Sequence, residues 1–286
     1  MAPDGIQPPV APEQFDGRQF PPELLAKHKG DHHVSVCLPA RDEEATVGAI
    51  VSEVRSLADH WGLVDEILVI DDGSTDGTAA AAVAAGATVI ASADVLPDWG
   101  DAPGKGAALW KAVDSAKGDI LVFCDADIRQ FDPSFVTGLL GPLLLHGHLQ
   151  FVKGTYDRPE PRSGPGGGGR VTELVARPLI SLLFPHLEGF DQPLAGEFAA
   201  RREVLEQVPY VQGYGVDLAL LVDVVASVGL AAVAQVDLGQ RVHRNRPLAE
   251  LGHQARAVAH AALSRAGVEV DPLDERPPLA GIRRRP

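Results

Sequence analysis

Two carboxylates separated by a single residue follow an apolar run near the middle of the chain. Asp125 and Asp127 come directly after residues 120–123 (ILVF), a run that is typical of a buried strand. In extended backbone, side chains two positions apart project to the same side, so these carboxylates would repel unless a cation lies beside them. A hard divalent ion such as Mg²⁺ or Mn²⁺ takes oxygen ligands and often keeps substrate phosphates in its shell. The pattern therefore predicts a metal that bridges the protein to a diphosphate; the alternative is a solvated turn.

Three further polar segments stand at predicted strand ends or at a helix start: PARDEE (39–44), DDGSTD (71–76) and PGKG (103–106). Lys105 lies between two glycines, which let a backbone approach a ligand, so we expect its ammonium to face an anion. The spacing of a Walker motif is absent. Any one of these segments alone could be a structural turn. Together they predict one cleft, because ligands bind beyond the carboxyl ends of parallel strands.

Two basic segments in the second half predict further anion contacts. In GGGGRVTE (166–173) a glycine run opens a helix with Arg170 and Thr172 near its start, where the helix dipole favours an anion. The alternative for this segment is a flexible linker. QRVHRNRP (240–247) is a basic cluster in an acidic chain, which points to an acidic ligand. His243 within it is a candidate nitrogen ligand for the metal, which would favour tolerance of Mn²⁺.

A single acidic residue lies near another predicted helix start. Asp217 ends the segment GYGVD (213–217), in which glycines and Tyr214 precede it. Its carboxylate could cap the helix or contact sugar hydroxyls. The sequence contains no side chain that stands out as a covalent nucleophile.

These segments require a sheet whose strands end at one edge. Apolar runs at 34–39, 66–71, 87–91 and 119–125 alternate with helical patterns, which predicts a parallel sheet covered on both faces. The pattern weakens after about residue 150. Strands are predicted at 149–154 and 231–239, and helices at 170–184, 213–229 and 249–266.

One α/β unit is therefore expected, in which the two halves share one site. The predicted parts are a flexible, proline-rich tail over residues 1–30, a Rossmann-like nucleotide-binding half over 31–153, a half that completes the site over 154–268, and a polar tail over 269–286.

Composition excludes some classes of protein. The 286 residues are 45% hydrophobic, and 25 Lys and Arg against 39 Asp and Glu give a formal charge of −14. A general nucleic-acid binder needs a basic face, so none is expected. No apolar run is long enough to predict a membrane span. Cys37 and Cys124 lie in apolar runs and are expected to be buried thiols; with no secretory segment at the start, this predicts a cytoplasmic protein.

Eight segments together resemble one enzyme family, the retaining glucosyl-3-phosphoglycerate synthases of actinobacteria. The related mannosyl-3-phosphoglycerate synthases share much of the pattern, and the resemblance covers about residues 34–265. The segments are LPARDEEATVG, DDGSTDGT, PGKGAALW, DAD, GGGRVTELVARPL, QPLAGEFAARRE, GYGVDLALLVD and HRNRPL. The first half resembles GT-A glycosyltransferases in general, so the resemblance implies a GT-A fold. GGGRVTELVARPL and HRNRPL are the more specific segments.

The resemblance implies roles for individual residues. Uridine and ribose would be held by Pro39, Ala40, Arg41, Asp42, Glu43 and Asp72. The nucleotide sugar would contact Lys105, Asp125 and Ala126. The donor sugar and diphosphate would be surrounded by Tyr214, Gly215, Val216, Asp217, Arg241, Val242, His243, Arg244, Asn245 and Arg246. The acceptor would be bound in the second half by Gly169, Arg170, Val171, Thr172 and Asn245. Asp127 and His243 would ligate Mg²⁺ or Mn²⁺, and the implied catalytic residues are Asp217, Asp127 and Lys105.

The implied reaction is a metal-dependent transfer of glucose from UDP-glucose to D-3-phosphoglycerate with retention of configuration. The resemblance also implies a cytoplasmic homodimer in glucosylglycerate synthesis. Three alternatives stay open: another donor such as GDP-mannose or ADP-glucose, a polyprenyl-phosphate glycosyltransferase, and a nucleotide-sugar-binding protein without catalysis. The chain departs from the family pattern at Asp217, where Glu is common, at Arg41-Asp42-Glu43, where Leu-Asn-Glu is frequent, and at Asp125-Ala126-Asp127, where Asp-Ser-Asp is more usual.

Overall fold

A computed structural model describes residues 11–100, 104–157, 169–240 and 248–282. Its strands are β1 (Glu13–Asp16), β2 (Val34–Ala40), β3 (Glu66–Asp71), β4 (Thr88–Ala91), β5 (Ile120–Phe123), β6 (Phe151–Asp157), β7 (Phe198–Arg201), β8 (Tyr210–Val211), β9 (Val233–Gln240) and β10 (Glu275–Arg276). Its α-helices are α1 (Pro22–His28), α2 (Val47–Trp61), α3 (Thr78–Ala84), α4 (Lys105–Ser115), α5 (Ser134–Leu145), α6 (Arg177–Leu183), α7 (Arg202–Gln207), α8 (Val216–Val228), α9 (Leu248–Arg265) and α10 (Leu279–Ile282). A π-helical turn, Thr172–Ala176, leads into α6.

One mostly parallel sheet runs through the protein in the order β1-β9-β6-β7-β5-β2-β3-β4. Strand β7 is its antiparallel member and pairs with both β5 and β6. The other neighbours in this sheet pair in parallel. The expected α/β fold, with a Rossmann-like, mostly parallel sheet, is confirmed by this topology.

Both faces of the sheet are buried, which explains why its strands are apolar without alternation. In β5 the side chains of Ile120 and Val122 pack into one apolar cluster, and those of Leu121 and Phe123 pack into a second cluster on the opposite face. Helices α1, α2, α3 and α5 cover the first cluster, and helices α4 and α6 to α10 contribute to the second. Two layers of helix therefore hold the sheet from both sides.

The carboxyl ends of β2, β3 and β5 meet at one edge of the sheet, because these three strands are parallel neighbours. The polar segments after them therefore lie together, as predicted. The antiparallel strand β7 begins at this same edge, since Phe123 at the end of β5 is paired with Phe198 at the start of β7. Residues 192–197, which lead into β7, are thus brought beside the polar turns.

The predicted tails need correction where the structure describes them. Residues 11–30 are part of the fold: β1 pairs with β9, and Phe20 and Leu25 are buried in the core. The C-terminal stretch is also anchored, because β10 pairs with β8 and Leu279 is buried. Short elements flanked by prolines gave too weak a periodic pattern to be recognised in the sequence.

The boundary between the two predicted halves of the α/β unit is at residues 153 and 154. It falls inside β6, and the sheet continues from one half into the other without a break. Among the residues that the structure describes, no helix is both long and apolar enough to cross a membrane.

Residues 11–30 form an N-terminal arm, and its packing on the core can be tested by truncating one side chain. Leu25→Ala removes a fully buried side chain and should lower the free energy of unfolding by about 2–5 kcal/mol, measured by urea denaturation. Leu24→Ala is the matched control, because Leu24 is only half-buried on the same helix, and its loss should be clearly smaller. Two equal, negligible losses would mean that the arm does not pack on the core.

Candidate active site

A cleft of about 520 Å³ opens at the carboxyl edge of the sheet. Its lining contains most of the residues that the sequence predicted for a nucleotide sugar. They are Pro39, Ala40, Arg41, Asp42, Glu43, Asp72, Lys105, Asp125, Ala126, Asp127 and Tyr214, joined by Gly104, Ala108 and Gly213. Residues separated by about 170 positions in the chain therefore share one cavity.

Lys105 stands between two carboxylates at the base of this cleft. Its Nζ lies 3.2 Å from Asp125 Oδ1 and donates a hydrogen bond to Asp217 Oδ2 at 3.1 Å. Burial alone would lower the pKa of Lys105, but Asp125, Asp217 and Glu197 outweigh it and raise this pKa. The lysine is therefore a fixed positive charge, held by acidic groups from different elements.

The glycines on either side of Lys105 serve packing as well as ligand access. Gly104 has φ +147°, which side chains other than hydrogen rarely allow, and its N–H donates to Asp72 Oδ2 at 2.9 Å. A Cβ on Gly106 would collide with the carbonyl oxygen of Val211, so this glycine lets α4 approach β8. The prediction gave both glycines one role, that of letting the backbone approach a ligand. The structure adds a backbone conformation at Gly104 and close packing at Gly106.

Other acidic residues at this edge order the loops. Asp42 has φ +55° and accepts a hydrogen bond from the Thr75 N–H at 2.7 Å, and Asp71 accepts one from the Ser74 N–H at 2.9 Å. Aspartate tolerates the left-handed region better than most residues, which suits Asp42 to this position. The turn that contains Asp125 and Asp127 is also fixed, because the Thr46 hydroxyl donates a hydrogen bond to the Ala126 carbonyl oxygen at 2.6 Å.

Asp72 and Asp217 are buried carboxylates; Asp72 lines the cleft, whereas Asp217 lies behind its lining and reaches it through Lys105. Burial raises the pKa of Asp72, against the opposing effects of the Gly104 N–H and Arg41. Burial also raises the pKa of Asp217, although Lys105 and Lys153 act in the opposite direction. Asp217 is 7% exposed, and among the described residues its Oδ1 atom has no hydrogen-bond partner. This oxygen is suited to accept a hydrogen bond from a ligand.

The two carboxylates after β5 are not equivalent. Asp125 forms an ion pair with Lys105, whereas Asp127 lines the cleft in the following turn. No group of three or more His, Cys, Asp or Glu side chains that could hold a metal is found in the part of the chain that the structure describes. One carboxylate oxygen donor fits a hard cation that takes most of its ligands from a bound diphosphate. His243, the second predicted ligand, lies outside the described residues.

The remaining predicted residues lie elsewhere. Val216 is fully buried, and Gly215 packs against α9, since a Cβ there would lie 2.8 Å from the Ala257 carbonyl oxygen. Arg170 and Val171 line a separate cavity of about 140 Å³ with α9, while Gly169 precedes them and Thr172 is buried. The predicted donor and acceptor residues of the basic segment, Arg241, Val242, His243, Arg244, Asn245 and Arg246, lie outside the described residues.

Two charged residues near the site were missed by sequence reasoning. Lys153 in β6 and Glu197 before β7 are almost completely buried, and their charges act on Lys105. Lys153 follows Phe151 and Val152 in a strand that is otherwise mixed in polarity, so the sequence carried only a weak signal that its charge is buried. Glu197 had no comparable signal, since its neighbours became a strand only through tertiary pairing.

Comparisons with known proteins place the chain among glycosyltransferases. The family model described as glycosyl transferase family 2 matches residues 35–162. A glucosyl-3-phosphoglycerate synthase of Mycolicibacterium paratuberculosis is 50% identical over 250 residues, covering 85% of this chain and 75% of that protein. One from Mycolicibacterium smegmatis is 50% identical over 247 residues, covering 85% of this chain and 81% of that protein.

Solved structures agree with this result. Glucosyl-3-phosphoglycerate synthase from Mycobacterium tuberculosis, solved with Mn²⁺, UDP-glucose and phosphoglyceric acid, has a TM-score of 0.88 and 42% identity, covering 95% of this chain and 99% of that chain. Mannosyl-3-phosphoglycerate synthase from Rubrobacter xylanophilus has a TM-score of 0.86 and 39% identity, covering 94% of this chain and 97% of that chain.

The compensation of charge around Lys105 can be tested through stability. Lys105→Met leaves Asp217 buried without its cation and should lower the free energy of unfolding by about 3 kcal/mol at pH 7, measured by urea denaturation. The loss should shrink as pH falls, because the pKa of Asp217 is raised in the folded state, which takes up a proton before the unfolded state does.

The exposed Lys117 provides the control for this experiment. Lys117→Met should change stability by less than about 0.5 kcal/mol, since its ion pair with Glu66 is long, at 3.9 Å, and the Lys117 side chain is largely exposed. Equal losses for the two variants, or a loss at Lys105 that does not depend on pH, would contradict the assigned charge compensation.

Proposed function

Because the chain belongs to the glucosyl-3-phosphoglycerate synthase family, we propose that it transfers glucose from UDP-glucose to D-3-phosphoglycerate, giving glucosyl-3-phosphoglycerate and UDP. The observation that carries the proposal is the cleft in which Lys105, Asp125 and Asp127 stand together at the sheet edge. Its volume of about 520 Å³ is within the range of small-molecule sites.

The donor side of the cleft recognises the nucleotide sugar. Residues 39–43 and Asp72 hold the uridine and ribose, while Lys105 and Asp125 contact the diphosphate and the sugar. Asp217 accepts a hydrogen bond from a sugar hydroxyl through Oδ1, which has no partner among the residues that the structure describes, and Tyr214, which is 44% exposed, covers the sugar. The sugar is thereby oriented before reaction, which lowers the entropic part of the barrier.

Mg²⁺ or Mn²⁺ would be held by Asp127 and His243. When bound, the ion supplies Lewis acidity that stabilises the UDP leaving group. The oxygen donor on Asp127 supports this assignment, and the related structure from Mycobacterium tuberculosis contains Mn²⁺.

Residues Gly169, Arg170, Val171 and Thr172, with Asn245, bind the 3-phosphoglycerate acceptor. Gly169 precedes a helical segment that begins at Arg170 and continues through Thr172–Ala176 into α6, so backbone N–H groups of its first turn and a guanidinium are available to the phosphate and carboxylate of the acceptor.

The acceptor hydroxyl attacks C1 of glucose on the face from which UDP departs, so the configuration is retained. The C1–O bond to the diphosphate breaks, the new glycosidic bond forms, and the hydroxyl proton passes to the departing phosphate oxygen. Lys105 offsets negative charge beside the donor, and Asp217 keeps the sugar in place. No covalent intermediate is needed for this course.

A second candidate is mannose transfer to the same acceptor. The likeness to the mannosyl-3-phosphoglycerate synthase of Rubrobacter xylanophilus, at 39% identity, favours it. Asp217 has one methylene fewer than the Glu that is common in the glucosyl enzymes, so the contact with the sugar differs in reach. A panel of UDP-glucose, GDP-glucose, ADP-glucose and GDP-mannose decides between the donors.

We also propose a homodimer that works in the cytoplasm. Leu174 and Leu182 are 71% and 78% exposed and stand on the segment around α6, where a second copy would cover them. Both cysteines, Cys37 and Cys124, are free and buried, which suits a reducing compartment.

The reaction is tested by measuring UDP release with donor, acceptor and metal each present or omitted. Turnover should require all three, and removal of metal by a chelator should stop it. Asp127→Ala should lower kcat at least about a thousandfold, because the metal loses a protein ligand. Asp132→Ala is the matched control: its carboxylate accepts a hydrogen bond from the Ser134 N–H away from the cleft, so its kcat should stay within about twofold. Absence of acceptor-dependent UDP release would refute the function.

The acceptor site is tested separately. Arg170→Ala should raise the KM for 3-phosphoglycerate about tenfold or more, with the KM for UDP-glucose changed less than about twofold. Arg55→Ala removes an exposed guanidinium that pairs with Asp59 at 3.1 Å on α2 and should leave both constants near those of the parent. Equal rises in the two constants would argue against a dedicated acceptor site.

A further inference from the structure

Lys153 is a buried lysine that the proposed chemistry does not use. It lies in β6, between β9 and β7 in the sheet, and it is 1% exposed. Its ammonium donates a hydrogen bond to the Ala195 carbonyl oxygen at 2.9 Å. Burial lowers the pKa of Lys153 to about 8, against the opposing effects of Asp217 and Glu197. Burying the charge of a lysine in such a place costs free energy of desolvation, and an apolar side chain of similar length would not have this cost.

The bond to Ala195 anchors a turn formed by residues 192–197. Within the turn, the Ala195 N–H donates to the Gln192 carbonyl at 3.0 Å. Gln192 donates through its side chain to the Tyr156 carbonyl at 3.1 Å, and the Glu197 carbonyl accepts from the Gly154 N–H at 2.9 Å. The turn therefore forms three hydrogen bonds with β6, and Lys153 donates the one to the Ala195 carbonyl group, which is covalently joined to Gly196.

Gly196 in this turn lies directly against the charged centre of the cleft. A Cβ at this position would lie 2.6 Å from Lys105 Nζ and would also collide with the carboxylate of Asp125. The backbone of Gly196 thus limits where the ion pair of Lys105 and Asp125 can stand. Any shift of the turn changes the space that this ion pair occupies.

Electrostatics link the same groups. Lys153 acts on the carboxylate of Asp217, and Lys105 acts on it as well. Glu197, which is completely buried, favours the charged form of both lysines, although burial still lowers the pKa of Lys153. Two ammonium groups therefore face three carboxylates in one low-dielectric cluster, and loss of either cation leaves the acidic groups under-compensated.

We propose that Lys153 is a positioning residue: by holding the Ala195 carbonyl it fixes residues 192–197, and through Gly196 it fixes the ion pair of Lys105 and Asp125 for the donor. The inference deepens the proposed function and rests on it only for its kinetic readout. Lys153 itself does not touch the substrate.

The first test replaces Lys153 by a neutral side chain of similar length. Lys153→Met should lower kcat at least about tenfold while the affinity for UDP, measured by calorimetry, stays within about threefold. Gly196→Ala displaces the same ion pair from the other side and should also lower kcat about tenfold. Because both changes act through one turn, the double variant should be about as slow as the slower single variant. Effects that multiply would overturn the proposal.

A matched control separates positioning from general stability. Lys111 is also completely buried and donates to a backbone carbonyl, that of Ser92, at 2.6 Å. Lys111→Met should lower Tm to a similar extent but keep kcat within about twofold when kcat is measured at saturating UDP-glucose, because the Lys111 charge acts on Asp72 and not on the ion pair of Lys105 and Asp125. If Lys111→Met and Lys153→Met lower kcat equally at equal loss of Tm, Lys153 has only a structural role.

A crystal structure of Lys153→Met gives a readout that needs no activity. The distance from Lys105 Nζ to Asp125 Oδ1, which is 3.2 Å in the parent, should exceed about 4 Å, the limit for an ion pair. An unchanged distance overturns the proposal, whatever the enzyme does. If the parent protein shows no glucosyl transfer but the distance increases, the proposed function fails and the positioning role stands.

Discussion

The ion pairs of Lys105 with Asp125 and Asp217 are the interaction on which the rest of the site depends. They join the start of α4, the turn after β5 and the first turn of α8, and the bond to Asp217 spans 112 positions of the chain. None of these elements could bring its charge into the interior alone, because an isolated buried charge is costly. The acidic groups and the lysine therefore depend on one another, and the cleft exists only when both halves of the chain are folded.

The sheet topology explains how so many polar groups reach one place. Parallel strands β2, β3 and β5 deliver their carboxyl ends to one edge, and the antiparallel β7 brings residues 192–197 to that edge from the other direction. The parallel strands lead into the side chains that face the donor, whereas the segment before β7 places its backbone close to those side chains. Gly196 is the point of contact between these two contributions, since a larger residue would meet Lys105 and Asp125.

Much of this arrangement was accessible from the sequence, and the reasons for the successes and failures are physical. The apolar runs before Asp72 and Asp125 predicted buried parallel strands, and the rule for their carboxyl ends then placed these residues in one cleft. Family resemblance added the substrates and the pairing of distant segments. Lys153 was missed because burial of a charge is decided by tertiary neighbours. The role of Asp42 as a loop acceptor was missed because its partner, Thr75, lies on another turn.

Strand β1 covers an otherwise open edge of the sheet. It contains four residues, as does β4 at the opposite edge, so each margin of the sheet offers few unpaired N–H and C=O groups. Short margins give neighbouring molecules little backbone on which to add a strand. Pro12, directly before β1, has no N–H to extend the pairing. The N-terminal arm thus protects the long strand β9 from edge-to-edge aggregation. This contribution to solubility is separate from catalysis.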